Sequence, residues 1–570
     1  MSGDDRDKTP GTGTGQDNGH GAGGSGGHNP GAGEDQKTEA MIEKVKARQK
    51  EIDQKLDAEK KPDKPEITSK FIQDCLYANE LGDGMLAAAL FKDQFLFNKS
   101  SDEWLSWEGH HWERDIMARS KASVEKVAQE YLAEASRIVG RIGEAIKNKD
   151  RDTQTKLQDV QEKIYKRVGR LRSERGRVNT LKFAHTNIEN QISIKGDELD
   201  TNPHLLGCKN GVIDLRTGEL RPGRPDDFIS KWSPFEFTGI DTPAPTWEQF
   251  LKEVLVVIEY PEDQEKEPII KEHSPLVEYI QRLFGYAAAG LTTEHFLFIL
   301  HGQGWNGKGT IIETISHVLG NYMGPIQSEI LLHQSHMKSS SGPSPDIMSL
   351  RGLRIAFASE TEQGRRFSLD RVKWLTGGDT LKGRYPYDKY ETEFRPTHTL
   401  FLMTNSKPDV SNDDFAFWER VHLIPFELSF VLREPEKFNE RPADKHLGEK
   451  LLKEGSGILA WSVRGFLEYQ QKGGLVPPPV VIDATKEYRR DEDQLGHFLN
   501  ECCIIDPGKE ATAKELYDRF RAWWGINVSR KVLSQKKFGN MMGDKFRRSK
   551  SGTYRYFGLT LNPDWQGDSD

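Results

Sequence analysis

The chain has 570 residues, with 88 Asp and Glu against 80 Lys and Arg, a net charge of −8 and only 35% hydrophobic residues. That length accommodates roughly three or four domains of about 100–200 residues each, and no run of about 18 apolar residues offers a membrane span. Four scattered cysteines without Cys-x-x-Cys spacing argue against zinc and for a reducing, cytoplasmic setting, while the acidic balance leaves any nucleic-acid contact to local basic patches.

Residues 1–65 are expected to be a disordered, then charged, tail. Met1 to Glu39 is Gly-rich, with too few large apolar groups to offset chain entropy and no apolar core of a secretory signal. Thr38 to Lys64 reads as a charged, solvated helix. Residues 66–204 are expected to be an N-terminal α+β and helical region. Phe95-Leu-Phe97, Trp104-Leu-Ser-Trp107 and His110-His-Trp112 alternate as a β-hairpin does, with Gly109 at a turn. His110 and His111 lack ligand-spaced partners. From Ile116 to Leu181 the pattern is helical and polar, a solvated helical hairpin. Its basic stretch Lys166–Arg172 is read as a solvated face over a nucleic-acid contact. Within 205–291, Asn210 to Leu220 predicts two short strands about Thr217-Gly218, and Pro243 to Leu291 reads as helical.

The segment 292–430 carries the chemistry. Phe296 to Leu300 reads as a buried strand, and Thr310 to Leu319 as a helix. Between them lies Gly302-Gln303-Gly304-Trp305-Asn306-Gly307-Lys308-Gly309-Thr310, a phosphate-binding P-loop in its strand–turn–helix context. Glycines let successive N–H groups face one point, the helix N-terminus adds positive potential, and Lys308 reaches the outer phosphates. The position after Lys308 is Gly309 instead of Ser or Thr, so Thr310 is the candidate magnesium ligand.

Gly352 to Ser359 predicts a second strand ending in Glu360-Thr-Glu362, where an ATPase holds Mg²⁺ and orients the attacking water. Thr399 to Thr404 predicts a third, closing on Asn405, which is either a γ-phosphate sensor or a turn cap. Arg420 precedes a fourth apolar strand and is a candidate arginine finger for a neighbouring subunit. Between these strands, Arg371 to Tyr390 interleaves Lys373, Lys382, Arg384, Tyr385 and Lys389 around glycines, as a phosphate-tracking, base-stacking hairpin requires. The alternative is a cross-strand aromatic pair among solvated charges.

Residues 431–480 read as a helical segment and Pro-rich linker. In 481–570, helices over Thr512–Trp524 and Ser534–Phe546 precede two strands about Ser551-Gly552. That is the layout of a winged helix, with Lys536, Lys537, Arg547, Arg548 and Lys550 concentrating positive charge.

Six elements in order resemble the superfamily 3 helicases of the phage, plasmid and poxvirus primase–helicase family. They are Gly304–Thr310, Ala358–Glu362, Arg371–Asp379, Phe394-Arg-Pro396, Thr404-Asn405 with Lys407-Pro408, and Trp418-Glu-Arg420 to Phe426. The resemblance spans residues 205–430 and makes 205–291 the pre-motor domain. It implies an α/β, P-loop AAA+-like motor that hydrolyses ATP with Mg²⁺. The motor would form a homo-oligomeric, hexameric ring moving 3′→5′ on single-stranded and forked DNA. In it Lys308 is the Walker A lysine, Glu360 the Walker B acid assisted by Glu362, Asn405 the sensor and Arg420 the finger. Many relatives carry a primase module. No acidic pair or metal-ligand pattern supports one here, so primer synthesis is expected to fall to a separate protein.

Overall fold

A computed structural model of the chain describes residues 66–187, 191–261, 267–333, 342–359, 365–387, 390–410, 414–528 and 532–565. The chain divides into two units, Met1–Thr68 and Ser69–Asp570. The expected tail over 1–65 lies outside the described residues, and every element below belongs to the second unit.

The aromatic hairpin is present. Phe95–Asn98 pairs antiparallel with Glu103–Trp107, which pairs with Trp112–Arg114, and Ser193–Ile194 adds a parallel edge. The polar region after Ile116 forms three helices, Arg119–Lys147, Arg151–Leu171 and Glu174–Ala184. It is less solvated than its composition suggests, because Val124, Val127, Tyr131 and Ile138 recur at helical spacing and are buried. Within the basic stretch Lys166–Arg172, Arg167 is itself buried. Its guanidinium donates to Asp83 Oδ2 at 3.2 Å, and the Tyr131 hydroxyl donates to Asp83 Oδ1 at 3.1 Å. That pairing is what a buried charge requires.

Leu205–Cys208, Gly211–Asp214 and Glu219–Arg221 form an antiparallel sheet about the expected Thr217-Gly218 turn. The helical reading of 243–291 is corrected in its middle. Helices Pro245–Val254 and Ser274–Ala289 flank an antiparallel pair, Val256–Glu259 with Ile269–Glu272. Val256, Val257 and Ile258 are β-branched neighbours, which suit a pleated strand better than a helix.

The central sheet has five parallel strands in the order Met323–Pro325, Ile355–Ser359, Thr399–Thr404, Leu297–His301, Val421–Pro425. Both faces are covered, as a parallel sheet demands. Phe298 and Leu300 point into a core shared with helices Lys308–Leu319, Ser274–Ala289 and Gly455–Lys472, while Leu297 and Ile299 point into a second core with Leu400, Leu402 and Phe417. A Cβ on Gly285 would sit 2.2 Å from the Phe466 backbone nitrogen, so Ser274–Ala289 and Gly455–Lys472 touch backbone to backbone. The register aligns His301 with Thr404 and with Pro425, and Ser359 with Met403. Four strands therefore end along one edge, where ligands of open α/β sheets bind.

The Arg371–Tyr390 expectation is also corrected. Leu369–Thr376 is a helix, and the hairpin is confined to Leu381–Gly383 paired with Thr392–Phe394. In 431–480, a short parallel pair, Ser429–Val431 with Glu440–Pro442, precedes the helices. The C-terminal region keeps its expected helices, Ala513–Asn527 and Gln535–Lys545, and its turn at Gly552. It adds a strand, Cys503–Thr512, whose Pro507-Gly508 interruption hid it and coincides with a register shift between Ile505 and Glu510. Phe498, Phe520, Trp523, Phe538 and Tyr556 form its core. Among the described residues no helix is long and apolar enough to cross a membrane.

Candidate nucleotide site

The turn between Leu297–His301 and Lys308–Leu319 has room for no side chain at its entrance. A Cβ on Gly302 would meet the Phe426 carbonyl oxygen at 2.2 Å and Asn306 Nδ2 at 2.4 Å. Gly307, at φ +88°, starts the helix from a left-handed conformation, with Val254 and the Phe250 ring packed where a Cβ would be. The following strand braces the turn. Phe430 N–H donates to the Trp305 carbonyl at 2.6 Å, and the Ser429 hydroxyl donates to the Gly304 carbonyl at 3.5 Å. Gly309 differs, since a Cβ there meets nothing within 4 Å.

Lys308 is buried in the first helical turn. Its ammonium donates to the carbonyls of Gly302 at 2.6 Å and Gln303 at 3.4 Å, and to Asn405 Oδ1 at 3.1 Å. Asn405 lies just past the end of Thr399–Thr404, the neighbouring strand. The structure thus brings together Gly302, Gln303, Asn306, Lys308 and Asn405. Burial of the ammonium pushes its pKa from 10.5 down to about 8. Burial also holds His301 neutral, near 4, and the charges of Lys407 and Lys308 add to that shift.

Thr310, Trp305 and Gly307 border a cavity of about 870 Å³ walled by Phe250 and Phe430. The Phe250 and Phe430 contributions were not legible in the sequence. Phe250 read there only as an apolar position of its helix, and nothing marked Phe426 or Phe430 as braces of a turn more than a hundred residues away. Glu360 and Glu362 lie outside the described residues. Arg420 is not part of this cluster. Its carbonyl accepts from Leu297 N–H at 2.7 Å, which sets it at the opposite end of the sheet from Lys308.

The expected DNA-contacting residues fall into two groups. In the motor segment, Lys373 pairs with Asp414 at 2.9 Å, and Lys382 with Glu391 at 3.0 Å. The Tyr385 hydroxyl donates to the Met348 carbonyl, Arg384 donates its backbone N–H to Ser344 Oγ, and Lys389 lies outside the described residues. At the C-terminus Lys536, Lys537, Arg547, Arg548 and Lys550 are all exposed. Arg548 and Lys550 flank the Tyr554 ring, each 5.6 Å from its centroid. No carboxylate among the described residues pairs with any of the five.

Residues 84–256 match the family model described as D5 N terminal like. The chain is 28% identical over 457 residues to "Putative helicase L207/L206" of Acanthamoeba polyphaga mimivirus, covering 77% of this chain and 44% of that protein. It is 26% identical over 403 residues to "Putative helicase 022R" of Frog virus 3, covering 60% and 41%. It is 23% identical over 345 residues to "Putative primase C962R" of African swine fever virus, covering 58% and 34%. The chain therefore spans less than half the length of these relatives. An apo structure of the NrS-1 C-terminal region aligns at 11% identity over 83% of this chain and 97% of that one, with a TM-score of 0.41. By these sequence matches the chain is similar to D5-like primase–helicase proteins.

Proposed function

We propose that the chain is an ATP-dependent DNA helicase of the superfamily 3 type, acting in replication of a phage, plasmid, virus or integrated element. The observation that carries this reading is the convergence of Lys308 and Asn405 at the ends of adjacent parallel strands, above a glycine turn and a helix N-terminus. Gly302 to Gly309 would cradle the phosphates of ATP, Lys308 would neutralise them, and Asn405 would orient the outer phosphate.

Mg²⁺ would be held here as it commonly is, by one or two protein oxygens plus phosphates and water rather than by a protein cage. Thr310 and Glu360 would hold it, with Glu362 assisting, and when bound it screens the phosphate charge. The motor is read as AAA+-like, working as a hexamer that moves 3′→5′ on single-stranded and forked DNA, with the C-terminal region as a winged helix. Primer synthesis is assigned to a separate protein.

The test is displacement of a labelled strand from a forked duplex. The full chain should unwind it with ATP and Mg²⁺ and not without ATP, and Lys308→Ala should abolish unwinding while single-strand binding persists. Unwinding by Lys308→Ala at the parent rate would sink the reading.

A second reading, an origin-binding initiator whose ATPase governs assembly only, is favoured by the exposed basic face around Tyr554. Sequence-specific duplex binding lost in Arg548→Ala and Lys550→Ala, without strand displacement by the parent, would decide for it.

A further inference from the structure

Trp305 is the anomaly of the phosphate turn. A bulky aromatic at φ +64° occupies a conformation that L side chains rarely adopt. The backbone is pinned there by the 2.6 Å bond from Phe430 N–H to its carbonyl. The strain gains no packing in return, because the residue is 72% exposed. Backbone strain of this kind gathers where a ligand is held. The residue borders the cavity of about 870 Å³, which is within the range of small-ligand sites. Phe250 and Phe430 supply apolar wall, and Thr246, Gln249 and Glu253 supply a polar rim. Gln249 Nε2 already donates to Glu253 Oε1 at 2.9 Å, so that rim is ordered. Gly307 and Thr310 belong both to this cavity and to the turn that carries Lys308, which joins a cavity with aromatic walls and a charged rim to an anion site.

We propose that Trp305 is the base-stacking residue of the nucleotide site, and that the cavity beside it takes the purine of a nucleoside triphosphate whose phosphates rest on the Gly302–Gly309 turn. This rests on the nucleotide reading above and adds what selects the base. A fused purine overlaps an indole more fully than a single pyrimidine ring does, and base–aromatic stacking tolerates variation at the base edge. Affinity should therefore follow ring size.

The experiment is equilibrium binding, by calorimetry on the full chain, of ATP, UTP and adenosine to the parent, Trp305→Ala, Trp305→Phe and Lys308→Ala, with folding checked by melting. Trp305→Ala should weaken ATP by about tenfold or more and erase the preference for ATP over UTP, while Trp305→Phe keeps most of both. Lys308→Ala should weaken ATP yet leave adenosine binding unchanged. A folded Trp305→Ala that binds ATP as tightly as the parent, while Lys308→Ala does not, overturns the base site and leaves the phosphate site standing. Absence of nucleotide binding by the parent overturns both.

Discussion

The Lys308 ammonium lies 3.1 Å from the Asn405 amide oxygen and 2.6 Å from the carbonyl of Gly302, six residues earlier on the same turn. Among the described residues all its acceptors are neutral. A buried cation held only by dipoles is under-compensated, which is why its pKa falls from 10.5 to about 8. An incoming triphosphate supplies the missing charge, so phosphate binding and protonation of Lys308 are linked.

Two pH effects follow from that linkage. In the free protein Lys308 loses its proton above about pH 8, so triphosphate affinity should be flat to that pH and decline beyond it. Lys308→Arg should stay flat to about pH 10, since a guanidinium remains charged. Stability should move the other way. The folded pKa lies below the unfolded one, so between pH 8 and 10.5 the unfolded chain holds more protons, and the stability owed to this group rises over that window. Lys308→Met removes the buried charge, and its stability gain over the parent should shrink from pH 8 to 10.5 in thermal melts. A gap that does not change with pH would show that burial does not perturb this lysine.

The glycines of the turn make opposite predictions. Gly302→Ala forces a methyl to within 2.2 Å of the Phe426 carbonyl oxygen. The neighbour is backbone and cannot rotate away, so the variant should lose about 1–3 kcal/mol and most nucleotide binding. Gly309→Ser meets open space within 4 Å and restores the hydroxyl usual at that position. It should melt within about 1 °C of the parent, a shift of at most a few tenths of a kcal/mol, and keep nucleotide binding. Paired calorimetric scans and binding isotherms check both.

The motor's strands were legible because a strand buried on both faces must be apolar throughout, and Phe-Leu-Phe-Ile-Leu and Thr-Leu-Phe-Leu-Met are such runs. The structure places them at Leu297–His301 and Thr399–Thr404. Lys308 and Asn405 were legible because their chemistry depends on positions at the ends of those strands. What the sequence hid is non-local. Val256–Glu259 and Ile269–Glu272 are only four residues each and sit between two true helices, so helical spacing spread across them. Lys373 and Lys382 looked free in one dimension, and their carboxylate partners Asp414, Glu391 and Glu393 appear only once the chain is folded. The braces at Phe426 and Phe430 act through backbone atoms, which leave no mark on residue type.

Arg354 fastens the sheet of Leu205–Cys208, Gly211–Asp214 and Glu219–Arg221 to the motor. Its guanidinium, buried at 3% exposure, donates to the carbonyls of Ala288 at 2.8 Å and Leu205 at 2.7 Å, and it stacks 4.4 Å from the Tyr322 ring centroid. The Tyr322 hydroxyl in turn accepts from Gly207 N–H at 2.8 Å. Arg354→Ala strips two buried carbonyls of a charged donor, so it should cost about 3 kcal/mol or more, while Tyr322→Phe, which orphans one N–H, should cost about 1–3 kcal/mol. Urea denaturation followed by tryptophan fluorescence should show the first transition shifting in that order. Equal midpoints for Arg354→Ala and the parent would mean that the two sheets are held by other contacts.

Arg420 and Lys308 cannot meet within one chain. Arg420 precedes Val421–Pro425, and Lys308 follows Leu297–His301. The two strands run parallel and in register, so the residues are separated by the length of five strand residues, about 16 Å. Arg420 Nη1 donates to the Ala416 carbonyl at 2.6 Å, while its Nε is buried and has no partner among the described residues. The Nη1 bond ties the guanidinium to its own short helix, at the end of the sheet opposite the phosphate turn. If it serves as a finger, it serves the neighbouring copy. Arg420→Ala should then bind ATP with parent affinity yet hydrolyse it about 10³-fold more slowly. Mixed with parent protein, it should depress ATPase activity more than in proportion to its fraction, since each variant subunit silences a site it does not own. A linear decline on mixing, or parent-level hydrolysis by the variant alone, would remove Arg420 from the chemistry and leave it as a tie between the Phe415–Trp418 helix and the strand that follows.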